Sequence, residues 1–215
     1  MNFVAHVSVA LSVVGGGDDT GLAFGAALPD LASMAGLRIE PSALSAHVRD
    51  GVSIHHRTDS AFHSLVDFTS GVRLIREQLS AGGLGVGPSR AIGHAGWELL
   101  LDGCLLDRPG TEEGFIQVLA RAPDVALSVS PADPDRWRRL VAGMRSDRWW
   151  LGYRDSEVIA HRLQRRLRDR RRLSFDEERI PFVAAVLARM RPSVDFVADD
   201  VMNAVSAAVA QAGPV

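Results

Sequence analysis

Apolar residues recur at every third or fourth position along almost the whole of this chain, and runs that alternate apolar with polar are nearly missing. Spacing of that kind lines one face of an α-helix, whereas a half-buried strand needs a period of two. Phe3, Val7, Ala10, Leu11 and Val14 set out a first helix, which "GGGDDT" at 15–20 ends, and Asp19 or Thr20 can cap the next. Pro29 stands before Asp30, and Gly36 closes that short piece. A long helical segment from Ser42 to Leu79 follows, with a kink or break expected near Ser70–Gly71, and "SAGGLGVGPS" at 80–89 reads as a loop. The spacing then predicts helices over 90–106, 111–121, 134–144, 155–171, 175–191 and 194–212, with "VALSVS" at 125–130 the one fair strand candidate. At 215 residues, without a repeat or a low-complexity linker, the expectation is a single compact all-α domain spanning 1–215.

Composition narrows the function classes. A chain that is 47% hydrophobic and 23% charged has the makings of a folded core, and its net charge of -2 makes no general case for nucleic acid or a membrane surface. All 24 basic residues are arginine, which reads as genome composition. Cys104 is the lone cysteine, so no intramolecular disulfide forms, and a reducing cytoplasm fits. "NFVAHVSVALSVV" imitates a signal core, but no basic residue precedes it, His6 interrupts it, and it is too short to span a bilayer. A buried first helix is expected instead.

The segment "GVSIHHRTDSAFH" at 51–63 holds three of the seven histidines. On a helix, positions four apart differ by about 40° and positions three apart by about 60°, so His55 and Asp59 share a face, with His56 and His63 near it. An imidazole and a carboxylate one turn apart can grip a divalent cation. A local His–Asp hydrogen bond, with His56 and His63 in solvent, accounts for the same spacing. Arg57 points elsewhere on the helix, where it can hold a phosphate or a neighbouring carboxylate. Five further residues stand apart in sequence. His6 interrupts an apolar helix, and such a histidine is more often a hydrogen-bonded core residue than a ligand. Asp30 can be an ordinary helix cap. His94 lies between Gly93 and Ala95, small residues that let a ligand approach, with Glu98 one turn and Asp102 two turns beyond.

Taken in order, "MNFVAH", "GAALPD", "GVSIHHRTD", "AIGHAG" and "WWLGYRD" resemble the acyl carrier protein phosphodiesterase family, a distant relative of the HD-domain metal phosphohydrolases. The matching positions are His6, Asp30, His55, Arg57, Asp59 and His94, over residues 1 to about 170. The resemblance implies an HD-domain-like helical bundle and a phosphodiesterase that removes phosphopantetheine from holo acyl carrier protein. It implies a divalent ion, manganese preferred with magnesium or iron(II) possible, held by His6, Asp30, His55, Asp59 and His94. Asp59, His94 and Arg57 would then be catalytic, the arginine clamping phosphate oxygens. The partner implied is acyl carrier protein or a small phosphodiester, in the cytoplasm, with no membrane and no nucleic acid. Two features depart from the family. Gly93 stands where the family has Asp before its histidine, and Phe62–His63 stand where it has Thr-Asp. A non-catalytic relative that binds a phosphorylated ligand or a partner protein is the alternative. Finally, "HRLQRRLRDRRRLS" carries seven arginines between 162 and 172, a docking face for an acidic partner, a face that nucleic acid could use, or a solvated face.

Overall fold

A computed structural model describes residues 1–13, 20–120, 127–128 and 135–212. The described chain is all-α. Its helices are α1 (Phe3–Val13), α2 (Thr20–Ala35), α3 (Ala46–Ser64), α4 (Val66–Ala81), α5 (Val86–Leu106), α6 (Thr111–Ala120), α7 (Asp135–Ser146), α8 (Ser156–Leu167) and α9 (Ile180–Gln211). Short 3-10 turns lie at Pro41–Ala43, Trp149–Arg154 and Glu177–Arg179. Two-residue strands β1 (Arg38–Ile39) and β2 (Leu127–Ser128) pair antiparallel, Arg38 opposite Ser128. β2 falls inside the expected strand 125–130; the rest of that stretch, and Val14 to Asp19, lie outside the described residues. Among the described residues no helix is long and apolar enough to cross a membrane.

Several expected boundaries move: α3 opens at Ala46 rather than Ser42, α5 opens at Val86 inside the expected loop 80–89, and α8 closes at Leu167 rather than 171. The long segment breaks at Leu65, in extended backbone (φ -66, ψ 139), rather than at Ser70–Gly71. Gly71 stays helical because it serves packing: a Cβ there would run into the Trp97 indole. Pro29 and Asp30 lie within α2, so Asp30 is no cap. Gly36 does close that helix, at φ +67, with Leu37 N–H returning to the Ala32 carbonyl at 2.9 Å. The two helices expected at 175–191 and 194–212 are one, with Pro192 inside it. Buried Val183, Leu187, Met190, Val194, Ala198, Val201 and Val205 keep their three-and-four spacing straight through the proline. Burial of that continuous stripe outweighs the one backbone bond that proline removes.

The chain divides into two units by its contacts. Unit 1 comprises Met1–Phe62, Arg108–Trp150 and Met202–Val215. Its α1 is buried at Phe3, Val4, Ala5, His6, Val7, Val9 and Ala10, nearly all round, and packs on α2 and α6. Phe3 stacks on Phe115 at 5.4 Å, and Phe115 meets Trp150 edge-on at 4.8 Å. Trp150 is fully buried and its indole N–H donates to the Met144 carbonyl at 2.9 Å, so this part of "WWLGYRD" is core.

Unit 2 comprises His63–Asp107 and Leu151–Val201. Here α5 packs on α4 and α8, with Ile92, Trp97, Leu100 and Leu101 buried. Asp155 caps α8, its carboxylate accepting from Glu157 N–H at 2.8 Å. The arginine-rich segment leaves α8 at Leu167. Arg165, Arg166, Arg168 and Arg170 to Arg172 are exposed, while Arg162 lies over the Tyr153 ring at 5.1 Å.

Candidate metal centre

Two glycines bring the elements of the unit 1 site together. A Cβ at Gly25 of α2 would run into the Val48 carbonyl oxygen of α3, and one at Gly51 of α3 into that of Leu22. Glycine at both places lets the two backbones touch. Gly51 lies one turn ahead of His55, and Gly25 adjoins Ala26. The His55 ring therefore reaches across, and its Nδ1–H donates to the Ala26 carbonyl at 2.9 Å. A carbonyl only accepts, so this contact puts the proton on Nδ1 and leaves the Nε2 lone pair for the site. Pro29, one turn beyond Gly25, removes the helical bond that the Gly25 carbonyl would accept.

His55 Nε2 lies 3.4 Å from Asp59 Oδ2, one turn along α3. From α1, His6 stacks on His55 with ring centroids 3.9 Å apart. Its Nε2 stands 3.2 Å from Asp59 Oδ1 and 3.9 Å from Asp30 Oδ2. The Met1 amino group donates to Asp59 Oδ1 at 2.9 Å, so the carboxylate carries a positive charge beside it in this structure. Ligand atoms of His6, His55 and Asp59 all lie within 4.8 Å of one another. Donors held about 2.0–2.2 Å from one ion lie roughly 3 to 3.5 Å apart, so the spacing suits a single cation.

Electrostatics agree with the geometry. Burial, then the neighbouring His6, pushes His55 down to about 3, so it is neutral at physiological pH, as a metal ligand must be. Burial alone would raise Asp59, but the His6 hydrogen bond and the Met1 ammonium outweigh it and hold the carboxyl well below the usual range. His6 is fully buried, while Asp59 is 32% exposed, leaving an approach from the carboxylate side. The residues present fit a divalent cation: two imidazoles and a carboxylate, with Asp30 at the edge.

Of the five ligands that the family resemblance implies, His6, His55 and Asp59 meet in unit 1, with Asp30 Oδ2 at 3.9 Å from His6 Nε2. His94 belongs to unit 2, in a group of its own. Its Nε2 lies 3.1 Å from Glu98 Oε1, and His63 Nε2 lies 3.2 Å from the same oxygen. The His94–Glu98 spacing was legible on the sequence; the choice of His63 as third member was not. Burial alone would raise Glu98, but hydrogen bonds from His63 and His94 outweigh it and hold the carboxyl at about 2. Asp102, two turns past His94, is fully buried and outside this group. Arg57 is two residues from both His55 and Asp59, which places it on another side of α3. His56 is exposed, though its ring meets that of His55 edge-on at 5.3 Å.

Gly93 sits close against α4. A Cβ there would lie 3.0 Å from the Val72 carbonyl oxygen on α4, tighter than side chains ordinarily tolerate. The carboxylate beside His94 comes instead from Glu98, one turn on. Comparison with protein-family models, with curated proteins and with solved structures finds no match for this chain.

Proposed function

We propose that the chain is a divalent-metal-dependent phosphodiester hydrolase of the kind its sequence resembles, the HD-domain-like acyl carrier protein phosphodiesterases. The convergence of His6, His55 and Asp59, donor atoms within 4.8 Å and Asp30 beside them, is the observation that carries this reading. These residues would hold the ion, with manganese expected and magnesium or iron(II) as alternatives. When bound, such a cation supplies Lewis acidity, offsetting phosphate charge and acidifying water. The chain's own part is to preset the donors. Ala26 fixes the tautomer of His55, stacking on His55 fixes the plane of His6, and burial of both keeps competing water away. The substrate on this reading is holo acyl carrier protein or a smaller phosphodiester, in the cytoplasm. The exposed arginines from Arg165 to Arg172 suit an acidic protein partner, which charge would steer to them.

A second reading, a non-catalytic relative that binds a phosphorylated ligand or a partner protein, is favoured by one observation: a side chain at position 93, where the family has aspartate, would crowd the Val72 carbonyl oxygen at 3.0 Å. One experiment separates the two. Protein purified without chelator is analysed for metal, then assayed with manganese and with magnesium on holo acyl carrier protein and on a generic phosphodiester. The hydrolase reading expects product and a metal equivalent held in unit 1, both lost in Asp59→Asn. Stoichiometric metal with no product from either substrate would leave the binding reading, and no metal in unit 1 would overturn the proposed centre.

A further inference from the structure

The group at His63, His94 and Glu98 has the features of a built site. Two imidazole nitrogens converge on a single carboxylate oxygen, at 3.2 and 3.1 Å, and the three ligand atoms lie within 4.8 Å of one another. Those separations are again what donors about 2.1 Å from one ion require. The donors come from the last turn of α3 and from two successive turns of α5, so three helical turns fix their spacing.

The supports are present too. Phe68 of α4 packs against both rings, with centroids 5.1 Å from His63 and 5.2 Å from His94. Behind it Trp97 meets Phe68 edge-on at 5.5 Å, and Trp97 itself sits in the space that Gly71 leaves open. Glycine 71, which the sequence offers as a helix break, thus seats the indole that backs the aromatic wall. Glu98 is only 15% exposed, whereas the His94 side chain is 49% exposed. A buried carboxylate anchors the group, and an open side gives an incoming ion and its remaining ligands room.

We propose that His63, His94 and Glu98 form a second divalent-metal site, sharing no ligand with the centre in unit 1. Two imidazole nitrogens and one carboxylate oxygen select a first-row transition ion such as zinc, cobalt(II), manganese or iron(II) over calcium or magnesium, whose hard-cation preference is for oxygen alone. The assignment takes His94 out of the ligand set that the family resemblance implies. It does not depend on the hydrolase reading, because it uses other donors.

Cobalt(II) is the probe, since its visible absorption reports coordination by nitrogen. The metal-free full-length chain is titrated with cobalt(II), and bound equivalents and absorption are read for wild type, His94→Ala, Glu98→Gln and Asp59→Asn. His94 is half-exposed, so its variant keeps the fold, which circular dichroism checks. The expected result is one equivalent fewer in His94→Ala and in Glu98→Gln than in wild type. Any residual binding in those variants is weakened at least tenfold, since even outer supports of a metal ligand change affinity by about that much. Asp59→Asn should keep the equivalent and the absorption that the other two variants lose. Should unit 1 hold no metal, wild type binds one equivalent and His94→Ala none, so the two proposals fail separately. Equal cobalt uptake by wild type, His94→Ala and Glu98→Gln, zero included, would overturn the site and leave two imidazoles hydrogen-bonded to a carboxylate.

Discussion

In unit 1 the imidazoles of His6 and His55 are sealed under the α2–α3 contact, and only the carboxylate of Asp59 is partly open; in unit 2 the arrangement is reversed, the carboxylate of Glu98 sunk and His94 turned to solvent. The parts are the same, two histidines and an acid, but the residue shielded from water differs. Burying a base keeps it neutral and ready as a ligand, whereas burying an acid among proton donors keeps it charged. The first group therefore reads as a dry centre entered past its acid, the second as an anchored acid with an open side at a histidine.

The largest expected difference is in turnover. On the hydrolase proposal, Asp59→Asn should lower phosphodiester hydrolysis about a thousandfold, since a metal there would contribute several kcal/mol of charge stabilisation to the transition state. His94→Ala is the variant that can break the comparison: the expected drop is tenfold or less, read as kcat/KM with manganese. An equal loss in both variants would mean that the two groups serve one reaction.

Packing comes next. Gly51→Ala places a methyl group against the Leu22 carbonyl oxygen, and backbone on both sides has nowhere to go. Overpacking of this kind should cost about 3 kcal/mol, lowering Tm by about 6–12 °C. Because the same contact brings Ala26 to His55, metal affinity in unit 1 should fall with it while cobalt uptake at His94 persists. A stable Gly51→Ala with unchanged metal binding would show that the α2–α3 approach does not set the centre.

A pH series sharpens the contrast further. His55 titrates near 6.5 in an unfolded chain and near 3 in the folded one, so the unfolded state takes up the proton first as pH falls. Its contribution to stability is complete above 6.5 and drains away toward 3, roughly 2 kcal/mol of it between pH 7 and pH 5. Glu98 moves from 4.5 to about 2, so its contribution is complete above 4.5 and lost only as pH falls toward 2. Denaturant unfolding of the metal-free protein should accordingly weaken in two windows. His55→Gln should flatten the upper one and Glu98→Gln the lower. A single window lost in both variants would contradict the assignment.

How much of this could be read beforehand depends on the length of chain over which a signal acts. Helices followed from apolar spacing because that spacing is local and repeated, and the all-α class with it. Glycine and proline misled wherever a distant partner decided their meaning: Gly71 makes room for Trp97, and the stripe through Val194 carries α9 past Pro192. His55 and Asp59 stood out as a His–Asp pair one turn apart and His6 as a histidine in an apolar helix, but residue chemistry alone read His6 as core and Asp30 as a cap, and only the family resemblance grouped the four. His63 was not legible, since its partner Glu98 is 35 residues away and is chosen by how the last turn of α3 meets α5. The Gly93 departure, visible as a missing acid, became intelligible only once Val72 was seen against it.

The smallest effect belongs to that same position. An alanine at 93 gains about 1 kcal/mol of helix propensity over glycine, and loses a comparable amount by crowding the Val72 carbonyl at 3.0 Å, with Arg76 Cβ next at 3.6 Å. Gly93→Ala should therefore change stability by less than about 1 kcal/mol, in contrast to the loss at Gly51 where backbone meets backbone. Gly93→Asp restores the residue that the family resemblance expects, but aspartate lacks alanine's helix preference and its carboxylate must leave the α4–α5 contact. The expected loss is about 1 kcal/mol, a fall in Tm of about 2–4 °C, with cobalt uptake at His94 unchanged because Glu98 already supplies the acid. An aspartate variant more stable than wild type would show that α4 can yield, and that packing did not exclude the missing carboxylate.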